Sequence, residues 1–212
     1  MKFMPIRPTD ITLSLRRPAR WGGWMPTFTG DGFNLLTPKP DDVRVADIAH
    51  GLAYKWRYAG QSTPLTVAEH CLMVEAIIGI LWPSPADQFA GLLHDACQAY
   101  IHDIQTPVRK FVRVQLPNGD LIEWATLEQK LNGVIAKALK LPARFWSRSP
   151  VKAANILAVA LEKQQCPILQ RTLSKGLPEV PEEVAHLRLE YLDPVTAEQR
   201  FRARFDELLL AA

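Results

Sequence analysis

An all-α fold, a helical bundle carrying a short N-terminal β-hairpin, is what this 212-residue sequence predicts. Apolar residues recur at three- and four-residue steps through most of the chain, and prolines and glycines fall at the joints between those stretches. Near the start, Thr27-Phe28-Thr29 and Phe33-Asn34-Leu35-Leu36 flank Gly30-Asp31-Gly32, the pattern of two short strands around a turn.

Taken in order, residues 1–40 are an arm and the hairpin, with Pro, Gly, Trp and Arg abundant and the first twenty residues loosely held. Residues 41–170 form the core. Val45, Ile48, Ala49 and Leu52 define a first helix, closed by Gly60 and Pro64. A second begins at Thr66, which caps it with Glu69 three positions on, and carries the stripe Val67, Cys71, Val74, Ile77, Ile78 and Leu81. Pro83 and Pro85 end it, and a third helix runs from about Ala86 to Ile101. Further helices are expected from Leu121 to Leu139, Pro150 to Gln165 and Thr196 to Leu210. Residues 171–212 are an extended, proline-dotted connector and a final helix that packs on the same domain.

Composition narrows the function classes. With 48% hydrophobic residues the chain can bury one substantial core and is short for two. A net charge of +3 and a pI near 8.8 suit an anionic small molecule; the basic stripe with interleaved aromatics of a nucleic-acid binder is missing. Cys71, Cys97 and Cys166 are odd in number, far apart and without a C-x-x-C pair, which argues against a disulfide framework or thiolate zinc site and fits a reducing cytoplasm. The start has no apolar signal core, and the longest apolar run, Cys71 to Trp82, is too short for a bilayer and contains Glu75, so no membrane partner is expected. Self-association is left open.

The chemistry concentrates in Leu92-Leu93-His94-Asp95-Ala96, an imidazole beside a carboxylate at the polar edge of an apolar helix. Alone, such a pair reads as a hydrogen-bonded helix end, and His70 as a satisfied core histidine. Its company changes the balance: Val67-Ala68-Glu69-His70 lies on one helix and Val151-Lys152-Ala153-Ala154-Asn155 on another. Donors around a metal ion must converge from several directions, so ligands drawn from different helices are physically sensible. His70, His94 and Asp95 offer neutral nitrogens and a hard oxygen, a mixture suited to Mn, Co, Fe, Ni or Zn rather than calcium.

These residues carry a resemblance. The ordered set Ala68-Glu69-His70, then His94-Asp95-Ala96-Cys97-Gln98-Ala99-Tyr100-Ile101-His102-Asp103-Ile104-Gln105-Thr106-Pro107-Val108-Arg109, then Val151-Lys152-Ala153-Ala154-Asn155 resembles the HD-domain phosphohydrolases. Within them it is similar to the branch of bacterial 5′-deoxynucleotidases and phage and prophage HD hydrolases, over about Asp41 to Lys163. The resemblance implies an HD-domain helical bundle and one divalent ion (Mn, Co, Fe, Ni, Zn or Mg) held by His70, His94, Asp95 and Asn155. It further implies hydrolysis of a nucleotide phosphate ester, with a deoxynucleotide as substrate class. Asp95, Gln98 and Asp103 fall at its catalytic positions. Arg57, Tyr58, His102, Arg109 and Lys152 fall at or near its substrate.

Two positions depart from the family pattern. Asn155 stands where an aspartate ligand is expected, and a neutral amide oxygen binds a divalent cation more weakly. Gln98 stands where a glutamate is expected, and a carboxamide exchanges no proton near neutral pH. His102, seven residues after Asp95, would be separated from it by roughly 10 Å on an unbroken helix, too far to share an ion. The alternative to a hydrolase is therefore a weakened or silent HD protein that binds a nucleotide or a protein partner. For Arg57, Arg109 and Lys152 the competing reading is solvated surface charge, and Cys97 reads as a small buried side chain.

Overall fold

A short turn and a buried carboxylate set the first element. In the computed structural model, which describes residues 23–116, 118–172 and 176–211, strands β1 (Trp24–Met25) and β2 (Phe33–Asn34) pair antiparallel, Met25 opposite Phe33. The hairpin is present, but Thr27-Phe28-Thr29, expected as its first strand, form the connecting loop. The Gly30 N–H bonds the Thr27 carbonyl at 3.0 Å, and Asp47 of helix α1 (Val45–Ala53) accepts both the N–H (2.8 Å) and the hydroxyl (3.2 Å) of Thr29. The loosely held arm expected over the first twenty residues lies outside the described residues.

Helix α1 buries Ile48, Ala49 and Leu52, as their spacing predicts. Helix α2 (Val67–Leu81) starts where expected, with the Thr66 hydroxyl accepting the Glu69 N–H at 3.0 Å. The Glu69 carboxylate does not complete a capping box. It accepts the backbone N–H groups of Glu190 (2.7 Å), Tyr191 (2.9 Å) and Leu192 (2.9 Å), three converging donors that tie the C-terminal connector to α2.

The single helix expected from Ala86 to Ile101 is two. Helix α3 (Pro85–Leu92), begun by Pro85 with Ser84 as its cap, stops at Leu93, and helix α4 (Gln98–Ile101) resumes after a run of turns. The break has a local cause: the His94 ring takes the Gly91 carbonyl at 2.8 Å, competing with the helical bond that carbonyl would accept. The unbroken-helix spacing between Asp95 and His102 does not apply. Gly91 also has no side chain to strike Ile78, so α3 closes onto α2.

After helix α5 (Thr106–Arg109), a second hairpin of β3 (Arg113–Gln115) and β4 (Leu121–Glu123) pairs Val114 with Ile122. The helix expected from Leu121 therefore begins three residues later, as α6 (Trp124–Ala138), because Leu121–Glu123 are taken up in the ladder. Helices α7 (Ser149–Gln165), α8 (Pro167–Thr172) and α9 (Pro194–Ala211) follow. Helix α2 packs against α3 and α7, and α9 lies across α1, α2 and α3. Phe33, Ile77, Leu92, Phe145, Leu161 and Phe201 are fully buried. No helix among the described residues is long and apolar enough to cross a membrane.

Candidate metal centre

The α2–α3 contact brings the two histidines together. His70, on the first turns of α2, and His94, in the turn after α3, have ring centroids 5.2 Å apart. His70 Nδ1 lies 2.6 Å from a carboxylate oxygen of Glu162, which fixes that nitrogen as the N–H donor and leaves the lone pair on Nε2. His94 Nδ1 donates to the Gly91 carbonyl, so in the neutral ring the lone pair again falls on Nε2. Both Nε2 atoms are buried and neither has a hydrogen-bond partner. Asp95 Oδ2 stands 3.3 Å from His94 Nε2 and 3.9 Å from His70 Nε2. A tetrahedral ion about 2.1 Å from its ligands holds them roughly 3.4 Å apart, and these three ligand atoms all lie within 4.8 Å of one another, a set that could hold a metal ion.

Electrostatics divide the two imidazoles. Burial and the Arg57 charge push His70 below its ordinary value and keep it neutral. Burial acts the same way on His94, but the Asp95 carboxylate outweighs it and raises that ring well above its ordinary value. Asp95 is lowered in turn, chiefly by His94, against the opposing effect of burial.

Behind His70, Glu162 of α7 is fully buried and has four donors around it: His70 Nδ1, Arg57 Nε (3.2 Å), Arg57 Nη2 (3.1 Å) and the Tyr58 hydroxyl. Burial would raise this carboxyl, yet the Arg57 charge, with the hydrogen bonds from His70 and Tyr58, holds it at about 2. Arg57 and Tyr58, expected at the substrate, thus both grip Glu162 while lining a cavity of about 550 Å³. Tyr58 and Ala59 hold φ of +55° and +51°, left-handed backbone costing on the order of 1–3 kcal/mol per non-glycine residue. That geometry accompanies the inward turn of the Arg57–Tyr58 pair.

The large cavity also takes in Asp103 and the apolar Val159, Ile168 and Leu169. A second cavity of about 190 Å³ is bounded by His94, Glu128, Asn132 and Trp146. Asp95, Gln98, Arg109 and Asn155 line both, so the expected ligand Asn155 and the amide of Gln98 stand where the two cavities meet. Arg109 is ion-paired with Glu128, whose other oxygen accepts the Trp124 indole N–H at 3.0 Å. His102 and Lys152 are exposed and line neither of these two cavities; His102, at φ +78°, accepts the Asp103 N–H at 2.9 Å.

Over 149 residues, 67% of its length and 72% of the relative's, the chain is 32% identical to an uncharacterized protein of Rhodobacter capsulatus. The chain belongs to that protein's family. The chain is also similar to the uncharacterized protein YfdR of Escherichia coli, 28% identical over 143 residues, 66% of this chain and 71% of YfdR. A scan against protein-family models finds no match.

Two residues of this family member escaped the sequence reading. Glu162 carried one signal, a lone acid inside the apolar run of α7, two turns beyond Asn155 on the same face. Glu128 carried a similar one, an acid between the buried Leu127 and Leu131 of α6.

Proposed function

We propose that this chain is a metal-dependent phosphohydrolase acting on a nucleotide phosphate ester, with a deoxynucleotide as substrate class. The observation that carries the reading is the pair of buried, unpartnered Nε2 atoms of His70 and His94 facing the Asp95 carboxylate. Buried polar atoms without partners are costly, and a cation satisfies both at once. The ordered resemblance to HD-domain phosphohydrolases supports the same assignment. His70, His94, Asp95 and Asn155 would hold one divalent ion, which when bound supplies Lewis-acid polarisation of a phosphoryl oxygen.

The remaining chemistry belongs to the chain. Glu162 orients His70 and keeps its Nε2 free. Arg109, exposed enough to meet ligand and held by Glu128, presents a planar guanidinium to phosphate oxygens. The 550 Å³ cavity lies within the roughly 300–1,000 Å³ typical of small-molecule sites. A second reading, a silent protein that binds a nucleotide, is favoured by one specific feature, the amides of Gln98 and Asn155. The test is phosphate release from a panel of ribo- and deoxynucleotides with Mn²⁺ or Co²⁺, for wild type and His94→Ala. The reading expects release by wild type and none by the variant. Nucleotide binding without release supports the second reading, and neither binding nor release removes both.

A further inference from the structure

We infer that the smaller cavity is the water side of this centre and that Glu128, reaching in from α6, accepts the proton of the attacking water there. The inference rests on the phosphohydrolase reading and supplies the group that Gln98 cannot. In-line displacement at phosphorus puts the attacking and leaving oxygens on opposite sides. Two cavities that meet at Asp95, Gln98, Arg109 and Asn155 provide two such sides. The larger, with Val159, Ile168 and Leu169 on its wall, suits the organic part of a substrate. The smaller, about 190 Å³ against about 550 Å³, has room for ordered water.

Its lining is built to order water. Gln98 Oε1 and Asn132 Oδ1 are buried acceptors without a partner, and both residues line this cavity. Of its two carboxylates, Asp95 is committed to the histidine pair, which leaves Glu128. That side chain is buried and fixed at both oxygens, by the Trp124 indole and by Arg109. Burial raises its affinity for a proton, while the Arg109 charge keeps it ionised before turnover. Asp103 lines only the larger cavity and is likewise raised by burial, so it stands on the leaving-group side.

The step balances. The water oxygen forms a bond to phosphorus and its proton passes to the Glu128 carboxylate. The ester P–O bond breaks, its electron pair stays on the departing oxygen, and that oxygen takes a proton from Asp103. Solvent exchange then returns Glu128 to the carboxylate and Asp103 to the acid.

Four proteins test this: wild type, Glu128→Gln, Gln98→Glu and the double variant, each assayed for Mn²⁺ affinity by calorimetry and for kcat on the best nucleotide. Glutamine still accepts the Trp124 N–H. We expect Mn²⁺ affinity of Glu128→Gln within about threefold of wild type and a kcat loss of about 10²–10⁴. In the Gln98→Glu background, where a second carboxylate can take the proton, the same substitution should cost less than about tenfold. An equal loss in both backgrounds marks a structural role and overturns the inference. So does lost Mn²⁺ binding or an unchanged kcat in Glu128→Gln. Should that variant not fold, Glu128→Asp keeps the ion pair and retracts the carboxylate; kcat must then fall at least about tenfold at constant Mn²⁺ affinity, and an unchanged kcat overturns the inference. A wild type that binds Mn²⁺ but cleaves nothing removes the phosphohydrolase reading itself, whereas activity indifferent to Glu128 removes only this inference.

Discussion

Replacing Glu162 with glutamine should damage both the fold and the candidate centre, by separable amounts. The Glu162 side chain is fully buried, and that of Arg57, its ion-pair partner, is only 11% exposed. Neutralising the carboxylate strands the guanidinium where water reaches it poorly, a defect that typically costs about 3–5 kcal/mol. The amide cannot serve all four donors either. If its oxygen accepts from His70 Nδ1, its NH₂ faces Arg57 or the Tyr58 hydroxyl, donor against donor. His70 then loses the bond that fixes its tautomer, and partners of this kind are worth about 10–100-fold in metal affinity. Urea unfolding at pH 7 reads the first effect and Mn²⁺ calorimetry the second. Arg57→Met combined with Glu162→Gln should recover about 1–3 kcal/mol of the loss, because the stranded charge is gone. A single variant that loses less than about 1 kcal/mol and binds Mn²⁺ as wild type does would refute the role given to this carboxylate.

Other perturbations follow the same physics. Asn155→Asp restores a charged oxygen where the cavities meet and should tighten Mn²⁺ binding about tenfold, near 1.4 kcal/mol, by calorimetry. Glu69→Ala frees the N–H groups of residues 190–192, at about 1–3 kcal/mol for each donor left unsatisfied, and hydrogen exchange there should accelerate. Glu162 titrates near 2 in the fold against an ordinary 4.5, so its contribution, on the order of 3 kcal/mol, is present above pH 4.5 and lost as pH falls toward 2. Denaturation of wild type and Glu162→Gln across that range should therefore show their stabilities converging on the acid side.

Local signals made much of this fold legible. The Thr66 cap and the stripes of α1 and α2 lie within a few turns of sequence, and His70, His94 and Asp95 announced themselves through motif order. The break at residues 93–97 was hidden, because periodicity does not register a side chain that captures a carbonyl of the preceding turn. The second hairpin was hidden because three-residue strands carry too little alternation, and Leu121–Glu123 take their conformation from pairing with Arg113–Gln115. Glu162 escaped because its partners come from far along the chain: His70 is 92 residues away and Arg57 is 105. Arg57 and Tyr58 were expected at the substrate, and their common grip on that carboxylate exists only in three dimensions.

The most direct measurement of the central claim is anomalous diffraction from crystals of the protein grown with Mn²⁺. Such crystals should show one strong anomalous peak about 2.0–2.2 Å from His70 Nε2, His94 Nε2 and an Asp95 oxygen, lost in His94→Ala. No peak between these side chains, or one that persists unchanged in the variant, would contradict that claim.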